Sequence, residues 1–332
     1  MDIMIAADLN YFSPALTLIV SLFHNHMEKD MNIYFLCSEF GEKEFAVLDK
    51  IEKRYKNKKI ICFNISEEQT EGLRSFGRFS VGAFYRILGL EMIPTEVERI
   101  LYLDVDMVVT RDITGLFEMD MTEPVLVCDD INNILQGNME YHKAIVHLTP
   151  EDKYFNSGMI LFDMEYVRQK HVRERLLDDI KDNFDRYKLV DQDALNRYYH
   201  GISRFIPWEK YNCPCVPYLS LDTGHVIGER NLLTYAELQR MQDPENGLQI
   251  FDVTAGILAE ASIIHFCSEM KPTEPLHTSL SACFLSISTT RINFESVKSV
   301  LSKSSRKTGC SAFLSFSRFL ASALSLMALA AF

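Results

Sequence analysis

Asp104 and Asp106 flank Val105 in the run Leu101-Tyr102-Leu103-Asp104-Val105-Asp106-Met107-Val108-Val109. On a straight strand, residues two apart face the same way, so both carboxylates can approach one hard cation. The plain alternative is a solvated pair of acids at a strand end. The apolar segments on both sides favour the metal reading, because two like charges are costly to bury without a cation or hydrogen-bond donors. His265, in Ile263-Ile264-His265-Phe266-Cys267, is a third candidate ligand, with a structural histidine as its alternative. Lys271 follows closely enough in a loop for its ammonium to meet the same phosphate that such a cation would meet.

These residues need a scaffold that brings distant segments together, and the pattern of short apolar runs alternating with helical periodicity supplies one. Such alternation is the signature of a parallel sheet covered by helices. Asp2–Ala7, Asn32–Cys37 and Lys59–Phe63 read as strands, separated by helices through Ala15–His26 and Glu42–Tyr55. Ser80 is placed to cap a helix through Val81–Met92 that Pro94 would stop. Arg99–Leu103 reads as a buried strand with Asp104 and Asp106 at its carboxyl end, where ligands bind in open α/β sheets. Further strands are expected at Pro124–Cys128, Ser157–Phe162 and near Ile263–Cys267, and helices at Glu165–Asp182 and Gln192–Tyr199.

The 332 residues carry a net charge of -12, which argues against a partner that is nucleic acid. That charge is unevenly spread. Residues 276–332 hold six basic side chains against Glu295 alone, so this tail is +5 and residues 1–275 are -17. The tail also contains fourteen serines and neither Pro nor Asp, which divides the chain into a catalytic body, 1–275, and a chemically different appendage, 276–332. Residues 311–332 are nearly all apolar or small and follow Lys303, Arg306 and Lys307, so peripheral membrane contact and a poorly ordered terminus are both open readings. The eight cysteines lack the spacing of a zinc site or disulfide framework and read as reduced. Cys213-Pro214-Cys215 reads as a packed loop. Met1-Asp2 does not begin a signal peptide, which leads to the expectation of a cytoplasmic protein, with docking of its tail at the inner face of the membrane as a further reading.

Five blocks in this order resemble glycosyltransferase family 8, the retaining enzymes that include bacterial lipopolysaccharide galactosyl- and glucosyltransferases and glycogenin. They are Ala6-Ala7-Asp8-Leu9-Asn10-Tyr11, Phe84-Tyr85-Arg86-Ile87, Leu101–Asp106, Tyr154-Phe155-Asn156-Ser157-Gly158 with Asp191-Gln192-Asp193-Ala194-Leu195-Asn196, and His265–Pro272. The resemblance implies a GT-A type nucleotide-diphospho-sugar transferase fold, mainly parallel, with a C-terminal helical appendage. It also implies transfer of galactose or glucose from a UDP-sugar to a saccharide or glycolipid acceptor in cell-surface polysaccharide or lipopolysaccharide synthesis. Mn2+, or alternatively Mg2+, would be held by Asp104, Asp106 and His265.

By the same resemblance, Ala6, Ala7, Asp8 and Asn10 would bind uracil and ribose, although Asp8 and Asn10 also suit capping of the next helix. Tyr11 would stack on uracil, or simply pack. Arg86 would meet the donor sugar and diphosphate rather than solvent, and Val105 would lie along the nucleotide. Lys271 and Ser268 would meet the leaving phosphate. Asp130, Asn156, Ser157, Asp191 and Gln192 would line the donor-sugar pocket, with Asp130 preferred to its neighbour Asp129 and with Asp191 also able to cap a helix. Gln192, an amide and a poor nucleophile, would stabilise the oxocarbenium-like carbon. The family loop commonly has Gly and Trp where this chain has Ser268 and Thr273, and a side chain at 268 would crowd a close approach of backbone to phosphate. A catalytically weakened UDP-sugar-binding or scaffold protein is therefore the alternative. A dinucleotide-binding dehydrogenase is a poor match, since no G-x-G-x-x-G follows the first strand. A metal-dependent phosphohydrolase would need more clustered acids and histidines.

Overall fold

The computed structural model describes residues 1–66, 68–70, 72–73, 81–135, 137–214 and 260–266. Ser80, Ser268, Lys271, Thr273, the expected helical appendage and the 311–332 run lie outside them. The first third of the chain alternates as expected: β1 (Asp2–Ala7), α1 (Phe12–Asn25), β2 (Met31–Cys37), α2 (Glu42–Arg54) and β3 (Lys58–Asn64). A short α3 (Tyr85–Leu88) leads to β4 (Arg99–Leu103), β5 (Met107–Val109), α4 (Thr114–Glu118) and β6 (Val125–Asp129). Then come α5 (Ile131–Leu135), α6 (Met139–Ile145), β7 (Phe155–Asp163), α7 (Met164–Gln169), α8 (Val172–Asn183) and α9 (Asp191–Tyr198). The last elements are β8 (Ser203–Phe205), α10 (Trp208–Tyr211), β9 (Cys213–Pro214) and β10 (Ile263–His265).

Seven strands form one sheet in the order β3-β2-β1-β4-β7-β6-β8. All neighbours run parallel except β7, which is antiparallel to both β4 and β6. Successive side chains on a strand point to opposite faces, and here both faces are apolar. Met4, Leu36, Tyr102, Val127 and Ile160 pack into one core beneath α3, α8 and α9. Ile5, Phe35, Leu103, Leu126 and Leu161 pack into the other, against α1 and α2. The chain order switches sides between β1 and β4, and a crevice opens beyond the carboxyl ends of strands at such a switch. Because β7 runs the other way, it is its first residues, from Phe155, that arrive at this edge.

Three expectations are corrected. The Val81–Met92 helix is a composite: 3-10 turns at Val81–Phe84 and Gly89–Glu91 flank the single turn of α3. The segment hugs the sheet, for a Cβ on Gly89 would stand 2.2 Å from Leu36 Cδ1 and 3.0 Å from Met4 Sδ. The Glu165–Asp182 helix breaks into α7 and α8 at His171, whose φ is +51°. Asp104, Val105 and Asp106 are not strand but a turn, because β4 belongs to the large sheet whereas β5 belongs to a second sheet ordered β5-β10-β9. The chain must change sheets there, and the turn does it. Cys37, Cys62, Cys128 and Cys213 are free thiols. Among the described residues, no helix is long and apolar enough to cross a membrane.

Candidate active site

The turn between β4 and β5 is held from behind, where the N–H of Asp104 donates to the carbonyl of Gly158 on β7 at 2.8 Å. β5 then pairs antiparallel with β10 in a register that sets Met107 opposite His265, so an imidazole from far along the chain arrives beside Asp106. His265 Nε2 lies 3.2 Å from Asp106 Oδ1 and 3.8 Å from Asp104 Oδ2. One ligand atom from each of the three residues falls within 4.8 Å of the others. Two carboxylate oxygens and an imidazole nitrogen are a donor set that suits a divalent cation. The far side of the imidazole is fixed as well, with Nδ1 2.8 Å from Asn212 Oδ1. Metal-binding histidines are commonly oriented by such a contact.

Gly158 lies directly under this group. A Cβ there would stand 2.5 Å from His265 Cε1, 2.8 Å from Asp104 Oδ2 and 2.9 Å from Asn156 Oδ1, so only glycine leaves room.

Arg86 is buried beside the acids. Nη2 lies 2.9 Å from Asp104 Oδ1, Nη1 donates to the carbonyl and hydroxyl of Ser157 at 2.5 and 3.1 Å, and the guanidinium stacks 4.4 Å above the Tyr102 ring. Tyr102 in turn donates its hydroxyl to Asp104 Oδ1 at 2.8 Å. The Nε of Arg86 is 2.9 Å from Asp191 Oδ2, but its N–H is not aimed along that line, and both atoms are buried with no hydrogen-bond partner. This contact is an ion pair rather than a hydrogen bond. Negative charge is in excess here. Burial, with Arg86 opposing and Asp104 adding, pushes the Asp191 carboxyl up to about 6. Burial also works against a charged His265, yet Asp106 and Asp104 outweigh it and raise the imidazole pKa. A bound divalent cation would relieve both.

Asp191 opens α9, and the residue before it is strained. Val190 has φ +40° and ψ -94° and is buried, a conformation that costs a β-branched residue about 1–3 kcal/mol. The rest of α9 secures it. Asp193 accepts the N–H groups of Lys188 and Leu189 at 2.7 and 2.9 Å and the Tyr154 hydroxyl at 2.6 Å. Asn196 bonds both the N–H and the carbonyl of Phe155, at 2.7 and 2.8 Å, which ties α9 to the start of β7.

Gln192 spans the floor. Its Oε1 accepts from the Ser157 N–H at 2.9 Å, and its Nε2 donates to Asp130 Oδ2 at 2.7 Å. Asp130 faces inward, with 1 % exposure, and also accepts from Asn133; Asp129 is half-buried and pairs with Lys153 at 3.3 Å. Asn156 accepts from the Gly158 N–H at 3.0 Å and lies 3.4 Å from Gln192 Oε1.

At the tip of β1, Ala7 is buried and Ala6 half-buried. Asp8 Oδ1 accepts the N–H groups of Asn10 and Tyr11 at 2.9 and 3.2 Å, so this acid performs the capping role foreseen as its alternative, for a 3-10 turn rather than for α1. Asn10 is exposed, Tyr11 half-buried and Val105 buried. Asp104, Asp106, His265, Arg86, Ser157, Asn156, Asp191, Gln192 and Asp130 thus form one connected cluster. Asn212 and Tyr102 belong to it but were not foreseen. Nothing local marks Asn212, whose partner is 53 residues away. Tyr102 could have been found from its alternation with Asp104.

The sequence pattern of glycosyl transferase family 8 matches residues 2–273. The chain belongs to that family. Within family 8 it is similar to a lipopolysaccharide 1,2-glucosyltransferase of Escherichia coli (strain K12), 23% identical over 216 residues, or 64% of this chain and 62% of the relative. A lipopolysaccharide 1,3-galactosyltransferase of Salmonella typhimurium is 22% identical over 200 residues, 58% of each chain. These matches therefore span about three-fifths of each relative's length. Among solved structures, the galactosyltransferase LgtC in complex with donor and acceptor sugar analogues superimposes with a TM-score of 0.65 at 20% identity, covering 89% of this chain and 98% of that one. The family 8 fold seen here is of the GT-A type.

Proposed function

We propose that this chain is a metal-dependent retaining hexosyltransferase that moves galactose or glucose from a UDP-sugar to a saccharide or glycolipid acceptor, in lipopolysaccharide or other cell-surface polysaccharide synthesis. The observation that carries this reading is the convergence of Asp104, Asp106 and His265 at the switch point of the sheet. Mn2+ fits the mixed oxygen and nitrogen donors, and Mg2+ is the alternative. When bound, the cation neutralises charge on the diphosphate as the bond to the sugar loosens.

The protein's own residues do the rest. The β1 tip, Ala6 to Tyr11, takes the uridine, with Asp8 and Asn10 meeting a ribose hydroxyl or the uracil edge. Ser268 and Lys271 take the leaving phosphate. Asp191, Asp130, Asn156 and Gln192 read the hexose hydroxyls. Gln192 does not serve as nucleophile, because an amide is a poor one; held in place by the Ser157 N–H, its oxygen end acts as a fixed dipole toward the cationic sugar carbon. The acceptor hydroxyl then attacks from the face the phosphate leaves, giving its proton to a phosphate oxygen, which retains the anomeric configuration. The basic, then apolar, residues 276–332 would hold the enzyme against the inner face of the membrane, near a glycolipid acceptor.

A panel of UDP-sugars incubated with the chain and manganese tests this directly. Hydrolysis or transfer should occur with one or two UDP-hexoses and stop on chelation. Turnover indifferent to chelator, or UDP binding without turnover of any donor, would overturn it.

A further inference from the structure

The metal group and the sugar floor are joined by amide side chains, and two backbone N–H groups fix the direction in which those amides point. A backbone N–H can only donate. The Gly158 N–H donates to Asn156 at 3.0 Å, so the atom it meets is the amide oxygen. That oxygen also receives a contact from Asn212 at 3.0 Å, so Asn212 must present its NH2 there and its oxygen at the opposite end. The Asn212 oxygen lies 2.8 Å from His265 Nδ1 and can only accept, so Nδ1 carries the hydrogen. The lone pair of the neutral ring is then on Nε2, the atom 3.2 Å from Asp106 and 3.8 Å from Asp104. On the other side, the Ser157 N–H fixes the Gln192 oxygen, which turns the Gln192 NH2 to Asp130.

Asn212 is well placed for this task. It is 4 % exposed, it ends α10 with its own N–H bonded to the Trp208 carbonyl at 2.9 Å, and β9 begins immediately after it and pairs with β10. We infer that Asn212 is a positioning residue: it locks the Nδ1–H tautomer of His265, aims Nε2 at the cation, and through Asn156 couples that ring to Gln192 and Asp130. This rests on the metal-binding reading proposed above and goes beyond it in naming what sets the ligand's tautomer.

The test measures Mn2+ affinity by titration calorimetry with UDP present, alongside kcat. Asn212→Leu keeps the size and removes the acceptor, and should weaken Mn2+ by about 10- to 100-fold. Asn212→Asp restores an acceptor for Nδ1 but has no donor for Asn156. It should return Mn2+ affinity to near the wild-type value while kcat stays low. A merely structural role would not give this split. If the unaltered chain binds no Mn2+, the metal reading itself fails and the inference falls with it. If the unaltered chain binds and Asn212→Leu binds equally well, or Asn212→Asp is as weak as Asn212→Leu, the inference alone is overturned. Should Asn212→Leu not fold, Asn212→Asp decides: retained affinity with lowered kcat supports the assignment, and lost affinity overturns it.

Discussion

The polar residues at the tip of β1 and those around the end of β4 and the start of β7, which β10 of the second sheet joins, gather at the same end of the large sheet, yet they are held in opposite ways. At β1 the anchoring is local: Asp8 bonds the N–H groups two and three residues on, and the segment is largely open to solvent. Around β4 the partners are remote: Arg86 reaches Ser157, Gln192 reaches Asp130, and His265 reaches Asp106 and Asn212. A locally held group can be replaced with a local consequence. A group held by residues from many separate segments cannot move without disturbing them, because packed interiors relax only in part.

Replacing Asp106 should have the largest effect. Asp106→Ala removes a proposed ligand without removing a strand, so turnover should fall by at least about 10²-fold, as when other charge-stabilising groups are lost, while circular dichroism stays unchanged. Full activity would break the assignment. Gly158→Ala comes next. The added carbon must displace His265, Asp104 or Asn156, and overpacking of this kind costs about 1–3 kcal/mol. Both the melting temperature and Mn2+ affinity should drop. Gly115→Ala, in α4 where the new carbon meets no atom within 4 Å beyond its own helix backbone and chain neighbours, should leave Mn2+ affinity unchanged and hold or slightly raise the melting temperature. Equal behaviour of the two variants would erase the contrast between the regions.

Asp8→Ala tests the local half. Losing a cap costs about 0.5–2 kcal/mol, and UDP affinity should fall while Mn2+ affinity without UDP is kept. Loss of Mn2+ binding would show that the tip is not independent after all. The smallest effect is expected away from both regions, at the far end of α1. His26, at the end of α1, donates from Nδ1 to the Leu22 carbonyl and accepts the Ile113 N–H at Nε2, which requires a neutral ring. Burial lowers its pKa, so its stabilising contribution is complete above about pH 6.5 and lost as the pH falls through the lowered value. The drop in melting temperature between about pH 7.5 and 5 should be shallower in His26→Gln than in the unaltered chain. Identical drops would assign the acid sensitivity elsewhere.

What could be read without coordinates follows the same division. β1 and β4 were bounded correctly because each is an uninterrupted apolar run ending in an acid. The joint occurrence of five short blocks was enough to reach the family, and most residues of the cluster came with it. Features that depend on partners far along the chain were not legible. The reversal of β7 leaves no mark in a strand buried on both faces, and β5 was hidden inside what read as one apolar stretch interrupted by two acids. The His171 break has no glycine or proline to announce it, and Asn212 is an ordinary asparagine until His265 lies beside it.

The route by which His265 reaches the acids also governs when the site can exist during synthesis. A ribosome that has released β1 through β8 has delivered every strand of the large sheet, yet His265 is still to come on β10. Competence to hold the proposed cation comes only after the large sheet is complete, so a product that stops short of β10 could carry a finished sheet and remain catalytically silent.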